Sequence, residues 1–77
     1  MRDVIVEDAQ ITLAVFCRSG IWRVMINDQF YGDYVRKDWA LQSALDRAHE
    51  LRSSGRRAQV KLTDHRTNSV SVIDESP

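Results

Sequence analysis

The sequence predicts a small α+β domain, in which an antiparallel β-sheet of four to five strands carries one α-helix on one face, in the order β-β-β-α-β-β. Only residues 38–54 show a strong helical period. The segments on both sides alternate between apolar and polar residues, or form short apolar runs separated by turn-forming residues. With 77 residues, the chain (1–77) is one domain, near the size at which a single core gives only marginal stability.

Three strands are predicted before the helix, at residues 10–17, 21–26 and 29–35. The first connection contains Gly20, which can adopt the positive φ of a tight turn. The second is Asn27-Asp28, a two-residue hairpin loop whose residues tolerate left-handed φ. In the third strand, Phe30 is expected on the same side as Gly32, and Gly32 is expected to mark a bulge or the close approach of another group.

The helix is predicted to begin at Asp38, whose side chain can cap the first-turn amides, and to end before Gly55, which suits a left-handed C-terminal cap. Its apolar stripe consists of Ala40, Leu41, Ala44, Leu45, Ala48 and Leu51. After the helix, residues 58–63 and 69–73 are predicted strands, the second with Val70 and Val72 facing inward. Residues 1–8 and 74–77 are expected to be flexible.

One helix can cover only one side of this sheet. If Trp22, Val24 and Ile26 face the helix, the other side presents an interaction surface consisting of Ile21, Arg23, Met25 and Tyr31. If these side chains stayed exposed to water, the fold would lose roughly 25 cal/mol of stabilising free energy for each Å² of apolar surface left unburied. We therefore predict a homo-oligomer (a dimer) or a protein partner, held through this face or through an edge strand. Alternatively, bulges, twist and the terminal segments cover the face.

Nucleic-acid binding is the second hypothesis. Tyr31, Tyr34 and Trp39 are interleaved with basic residues, a mixture with which single-strand binders stack bases and contact phosphates. Trp39 falls off the helix's apolar stripe. The candidate contact residues are Arg36, Lys37, Trp39, Arg52, Arg56, Arg57 and Lys61.

Several function classes are disfavoured. The net charge of zero gives no long-range attraction to nucleic acid or to an anionic membrane. Cys17 is the only cysteine, so no internal disulfide and no cysteine-based zinc site can form. No signal peptide or membrane span is recognisable, and we expect a cytoplasmic protein.

No catalytic motif is recognisable, so we expect no enzyme activity, no cofactor and no metal site. His49 and His65 are expected to be ordinary surface residues. Asp46 and Glu50, four residues apart, have the spacing of a paired acid-base site, but solvated helix charges are the simpler interpretation.

The chain resembles the small bacterial domains of unknown function grouped as DUF2188. The resemblance covers residues 20–72 and rests on Trp22-Arg23-Val24, the alanines and leucine of the helix, Gly55, and the pattern Val60-x-Leu62-x-Asp64. That family has no established activity, so the resemblance does not suggest one for this chain. The order of three strands and a helix is also similar to that of the DNA-binding arm domains of phage-type integrases, an analogy of fold order alone.

Overall fold

The structure, a computed structural model, describes residues 10–75, except for the side chain of Glu75. Its elements are β1 (Ile11–Arg18), β2 (Ile21–Ile26), β3 (Gln29–Tyr34), α1 (Lys37–Ser53), β4 (Ala58–Asp64) and β5 (Ser69–Glu75). The predicted α+β class and element order are confirmed. Of the segments predicted to be flexible, residues 1–8 and 76–77 lie outside the described residues, whereas β5 extends through residues 74 and 75.

The five strands form one sheet in the order β3-β2-β1-β4-β5. Three neighbouring pairs are antiparallel, as predicted, but β1 and β4 are parallel, with Leu13 opposite Val60 and Val15 opposite Leu62. The parallel pair arises because α1 carries the chain back along the sheet before β4 begins, as a helical crossover does. The chain thus leaves the sheet at β3, on one edge, and re-enters it beside the central strand β1.

Both predicted hairpin turns are confirmed by their backbone angles. Ser19 and Gly20 have φ values of 52° and 81°, and Asn27 and Asp28 have φ values of 48° and 70°. Two consecutive positive φ angles define the turn that matches the twist of an antiparallel hairpin. The amide and the side-chain oxygen of Asn27 also bond the backbone of Thr12 on β1, at 2.9 Å each. This fixes the second turn against the central strand.

The two helix ends differ in how well the sequence predicts them. The helix begins at Lys37, and the predicted N-cap, Asp38, lies inside the first turn. Its carboxylate accepts bonds from the guanidinium of Arg36, so the N-cap prediction is wrong. At the other end, Gly55 has φ +89°, its N–H donates to the Arg52 carbonyl at 2.9 Å, and the next amide donates to Leu51. This Schellman motif confirms the predicted C-terminal cap.

The core lies between α1 and one side of the sheet. Ala40, Ala44 and Ala48 are fully buried, and these small side chains let the helix backbone lie close to the strands. The buried strand residues are Ile11, Leu13, Val15, Val24, Ala58 and Val60. Trp22 and Ile26 pack against this core, so the side of β2 that carries Trp22, Val24 and Ile26 is the one that faces the helix.

The helix crosses the sheet diagonally. Near its start, the Ser43 hydroxyl lies 2.6 Å from the Tyr34 hydroxyl on the edge strand β3. Near its end, the Arg52 guanidinium donates to Asp74 on the opposite edge strand β5, at 3.0 Å, and to the Ala58 carbonyl, at 2.8 Å. One corner of the helix side of the sheet, near the start of α1, is therefore left without helix above it.

Two predictions of side-chain direction are wrong. Val70 and Val72 were expected inward, but they lie opposite Thr63 and Lys61 and share the outward side of β4. In β3, a bulge makes Tyr31 an extra residue, so Phe30 pairs with Met25 and Gly32 pairs with Val24 on opposite sides of the sheet. A bulge shifts the alternation of faces by one residue, which a regular pattern does not anticipate.

Gly32 meets the expectation of a close approach. A Cβ atom built there would lie 2.8 Å from the Tyr34 hydroxyl oxygen, inside normal contact distance. The absence of a side chain at Gly32 therefore leaves room for the Tyr34 ring beneath the helix.

Candidate interaction surface

The side of the sheet turned away from α1, which we call the open face, follows from the strand register. Its residues alternate with the buried ones along β1 and pair with one another across the strands. They are Thr12, Ala14, Phe16, Arg18, Ile21, Arg23, Met25, Phe30, Asp33, Gln59, Lys61, Thr63, Val70 and Val72. Among the described residues, 10–75, no helix or loop covers the middle of this face.

Large apolar side chains on the open face are exposed. Phe30 is 61% exposed, Val70 59%, Val72 49% and Ile21 37%. Ala14, Phe16 and Met25, nearer the centre, are half-buried by their neighbours. Exposed large apolar side chains on both edges of one open sheet face give that face the character of a binding surface.

The structure groups three of the four residues predicted for this surface. Ile21, Arg23 and Met25 lie on the open face, whereas Tyr31 is the extra residue of the β3 bulge and is 42% exposed. Sequence reasoning missed Phe30, Val70 and Val72 because it assigned them to the opposite side. The bulge in β3 separates Phe30 from the side that Gly32 occupies, and the β4–β5 turn sets the register that turns Val70 and Val72 outward.

A charged pair lies on the same surface. The Arg23 guanidinium holds both oxygens of Asp33, with N–O distances of 2.8 and 3.1 Å, and its carbon atom lies 5.3 Å from the centroid of the Phe30 ring. The hydrogen bond from Arg23 lowers the pKa of Asp33, against the opposing effect of partial desolvation. The same bond raises the pKa of Arg23. Both groups stay ionised at neutral pH and cancel each other's charge.

Both edges of the sheet are interrupted. Tyr31 is an extra residue in β3, and Ile73 is an extra residue in β5, where Asp74 pairs with Val60 but Val72 pairs with Lys61. Bulges break the regular row of backbone donors and acceptors that a neighbouring strand would need. Of the two association modes predicted from the sequence, the face is therefore the better surface and the edge strands are the poorer ones.

The residues proposed for nucleic-acid contact lie in three separate places. Arg36, Lys37 and Trp39 are at the start of α1; the Arg36 guanidinium pairs with Asp38 at 2.9 Å and lies 5.3 Å from the Trp39 ring. Trp39 is 54% exposed. A helix of this length places its two ends about 25 Å apart, so the remaining arginines are distant from this group.

At the other end, Arg56 and Arg57 are exposed beyond the helix, whereas Arg52 is part-buried in its bonds to Asp74 and Ala58. Lys61 belongs to neither end and lies on the open face. The fold thus does not bring the basic residues into one patch.

The carboxylates and histidines considered for chemistry have ordinary contacts. Asp46 accepts a bond from Gln42 at 2.8 Å, and Glu50 accepts one from Arg47 at 2.9 Å. The His65 ring meets Phe16 edge-on at a centroid distance of 6.4 Å. Among residues 10–75, no three potential ligands from histidine, cysteine and acidic residues come together as a metal site would require. Over the same residues, no helix has the length and apolar character needed to cross a membrane.

A second feature lies on the helix side of the sheet, at the corner that α1 leaves uncovered. It is a cavity of about 750 Å³, lined by Cys17, Arg18, Ser19, Trp22, Lys37, Leu62, Thr63, Asp64, His65 and Arg66. Sequence reasoning missed this site because its lining residues come from three segments that are distant in the sequence, 17–22, 37 and 62–66. Only the diagonal course of the helix brings them together around an empty space.

Comparison of the chain with protein-family models, curated proteins and solved structures found no match. The resemblance to the DUF2188 domains stays a prediction. The function is therefore argued from the surfaces themselves.

Proposed function

We propose that the chain is a non-enzymatic interaction module that forms a homodimer through its open face. The observation that carries this proposal is the exposure of Phe30, Val70, Val72 and Ile21 on one side of a single sheet. Burial of such side chains is favourable by roughly 25 cal/mol per Å². A domain of 77 residues has only a small core. A partner that removes these side chains from water would therefore add stabilisation that the core alone does not provide.

The dimensions of the open face favour a flat partner. With about 4.8 Å between neighbouring strands and about 3.3 Å per residue, a sheet of five six-residue strands measures roughly 24 by 20 Å. Specific interfaces bury about 800 Å² on each partner, so nearly the whole face has to be used. Another copy of the same sheet has the required flat shape. Two sheets packed face to face are also a common way to bury apolar surface.

The charges of the open face are compatible with a second copy of the chain. The chain has no net charge, and Arg23 and Asp33 neutralise each other. A two-fold axis parallel to β1 would lay β3 of one copy over β5 of the other. By the strand register, this arrangement places Phe30 at the level of the partner's Val72, so two exposed apolar side chains meet. Asp33, whose charge is already neutralised by Arg23, lies at the level of the partner's Val70.

We further propose that the dimer works in the reducing cytoplasm. The thiol of Cys17 is half-buried, and a single cysteine contributes no stabilising bridge to the fold. Stability gained from a partner subunit requires no oxidising compartment.

The molar mass in solution tests the proposal. Sedimentation equilibrium across a concentration series should show a mass approaching twice 8.9 kDa, with a dissociation constant in the micromolar range. A monomeric mass at about 1 mM protein would contradict the proposal, because this concentration exceeds such a constant by a wide margin.

Nucleic-acid binding is a second proposal, favoured by the exposed Trp39 ring beside Arg36 and Lys37. Binding of a single-stranded oligonucleotide should weaken between about 50 and 200 mM salt, because phosphate contacts release counterions. It should also weaken when Trp39 or Lys37 is changed to Ala. Affinity that does not depend on salt would refute this second proposal.

A further inference from the structure

The cavity at the uncovered corner has an apolar floor. The floor consists of Cys17, Trp22 and Leu62, which lie on the helix-facing side of the sheet, next to the first turn of α1. Cys17 on β1 pairs with Trp22 on β2, and Leu62 on β4 lies opposite Val15. All three are half-buried, so part of each remains accessible from the cavity. The flat indole of Trp22 gives the floor a surface on which a planar group can stack.

The rim of the cavity is positively charged. Lys37 extends over the floor, with its amine 5.9 Å from the centroid of the Trp22 ring. Arg18 is the last residue of β1, and Arg66 lies in the turn that follows β4. Within residues 10–75, none of these three cations forms an ion pair.

The acidic residue of the rim, Asp64, accepts the backbone N–H of Arg66 at 2.9 Å. One of its carboxylate oxygens thus has a partner within its own turn, and its single negative charge against the three cations leaves the rim with a net positive charge. The first residue of α1 also lies at this rim, so the positive end of the helix dipole adds to the field of the three cations.

We propose that this cavity binds a small planar organic anion, an aromatic ring bearing one phosphate or carboxylate group. The ring stacks on Trp22 and covers Leu62, while the anionic group is held by Lys37 together with Arg18 or Arg66. The volume of about 750 Å³ lies within the range of small-molecule sites. An apolar floor with a few convergent polar groups is the usual composition of such sites.

The cavity combines an apolar floor with a positively charged rim, and this combination favours the proposed ligand over a neutral aromatic compound and over an inorganic anion. A neutral aromatic compound would leave the three cations without a counter-charge, and a bare inorganic anion would leave the indole floor wet. Both features are used only by a molecule that has a flat apolar body and an anionic group. The floor of the site lies on the opposite side of the sheet from the open face, and the two surfaces meet at the strand ends, where Arg18 and Thr63 line the cavity from open-face register positions.

Titrations followed by the backbone and indole N–H signals of the ¹⁵N-labelled protein test the proposal. Adenosine monophosphate and indole-3-acetate are the anionic probes, and they distinguish a phosphate from a carboxylate source. Adenosine is the neutral control. We expect saturable shifts at Cys17, Trp22, Leu62 and Lys37 with at least one of the anionic probes, and binding at least about tenfold weaker with adenosine.

Lys37→Glu should weaken binding of the responding probe by at least about tenfold, the effect of one charge-assisted hydrogen bond. The substitution is compatible with folding, because an acidic residue is favoured in the first turn of a helix. Arg57→Glu, at the opposite end of the helix, is the matched control and should leave the affinity unchanged.

Three results would overturn the proposal: no shifts around the cavity with either anionic probe, equal affinity for adenosine, or equal loss of affinity in the Arg57→Glu control. A response to adenosine monophosphate alone would assign the ligand to the phosphate class. A response to indole-3-acetate alone would assign it to the carboxylate class. Either response supports the site.

Discussion

A single substitution on the open face, Val70→Glu, tests the proposed dimer most directly. Val70 is 59% exposed and lies on the edge strand β5 opposite Thr63, so the change removes little packing within one copy. In a face-to-face dimer, the same position is buried. The substitution should therefore weaken association while leaving the fold of the monomer intact.

The expected change in the dissociation constant of the dimer follows from the exposed fraction of Val70. Full burial of a valine side chain stabilises by about 1.5 kcal/mol, so burying the exposed 59% contributes about 0.9 kcal/mol in each copy. Two copies lose about 1.8 kcal/mol, which raises the dissociation constant roughly 20-fold. Desolvation of the two new carboxylates increases this loss further, because each would be taken out of water without a partner.

Sedimentation equilibrium of the wild type and the variant measures the effect. Val35→Glu is the matched control: Val35 is 67% exposed but lies after the end of β3, outside the open face. Thermal unfolding adds an independent readout, since the melting temperature of a dimer rises with protein concentration. The wild type and Val35→Glu should show this dependence equally, and in Val70→Glu it should appear only at roughly 20-fold higher protein concentrations.

The reasoning would be refuted if Val70→Glu kept the dissociation constant of the wild type. It would also be refuted if Val35→Glu weakened the dimer equally, because the effect would then reflect added charge and not a specific surface.

Three further predictions concern the monomer and are measured by urea unfolding. Ala44→Leu should lower the free energy of unfolding by about 1–3 kcal/mol, because Ala44 is fully buried between helix and sheet and a larger side chain overpacks that contact. Gln42→Leu, on the exposed side of the same helix, should change it by less than about 0.5 kcal/mol. Gly55→Ala should cost about 1–2 kcal/mol, since Gly55 has φ +89°, and Gly55→Asn should cost less; equal costs would refute the role of the left-handed cap. Asp33→Asn should be less stable than the wild type at neutral pH, and the difference should shrink in acid. The pKa of Asp33 is lowered in the folded state, so its contribution is present above the unfolded pKa and is lost as the pH falls through the folded value. A difference that does not change with pH would contradict this account.

The sequence was sufficient where a local rule determines the structure. The alanine and leucine spacing predicted the helix to within one residue at each end, because a helical stripe requires only neighbouring residues. The turns at Gly20 and at Asn27-Asp28, and the cap at Gly55, were predicted from backbone preferences that act over three or four residues. The expectation of an uncovered side of the sheet also followed, since one helix cannot cover two faces.

The tertiary structure determined which residues occupy that uncovered side. Phe30 was separated from Gly32 by the bulge at Tyr31, which shifts the alternation within β3, whereas Val70 and Val72 face outward because the β4–β5 turn pairs Asp64 with Ser69 and so sets the two valines opposite Thr63 and Lys61. Such bulges depend on how two strands pair, which a pattern within one strand does not contain.

The parallel pairing of β1 with β4 and the cavity beside Trp22 have the same kind of origin. Both depend on the path of α1 from one edge of the sheet to the other, and this path is set by contacts between distant residues, such as Tyr34 with Ser43 and Arg52 with Asp74. The sequence by itself therefore determined the elements and their ends, because those depend on local backbone energetics. The membership of the open face and the existence of the cavity were decided only by long-range packing and strand register.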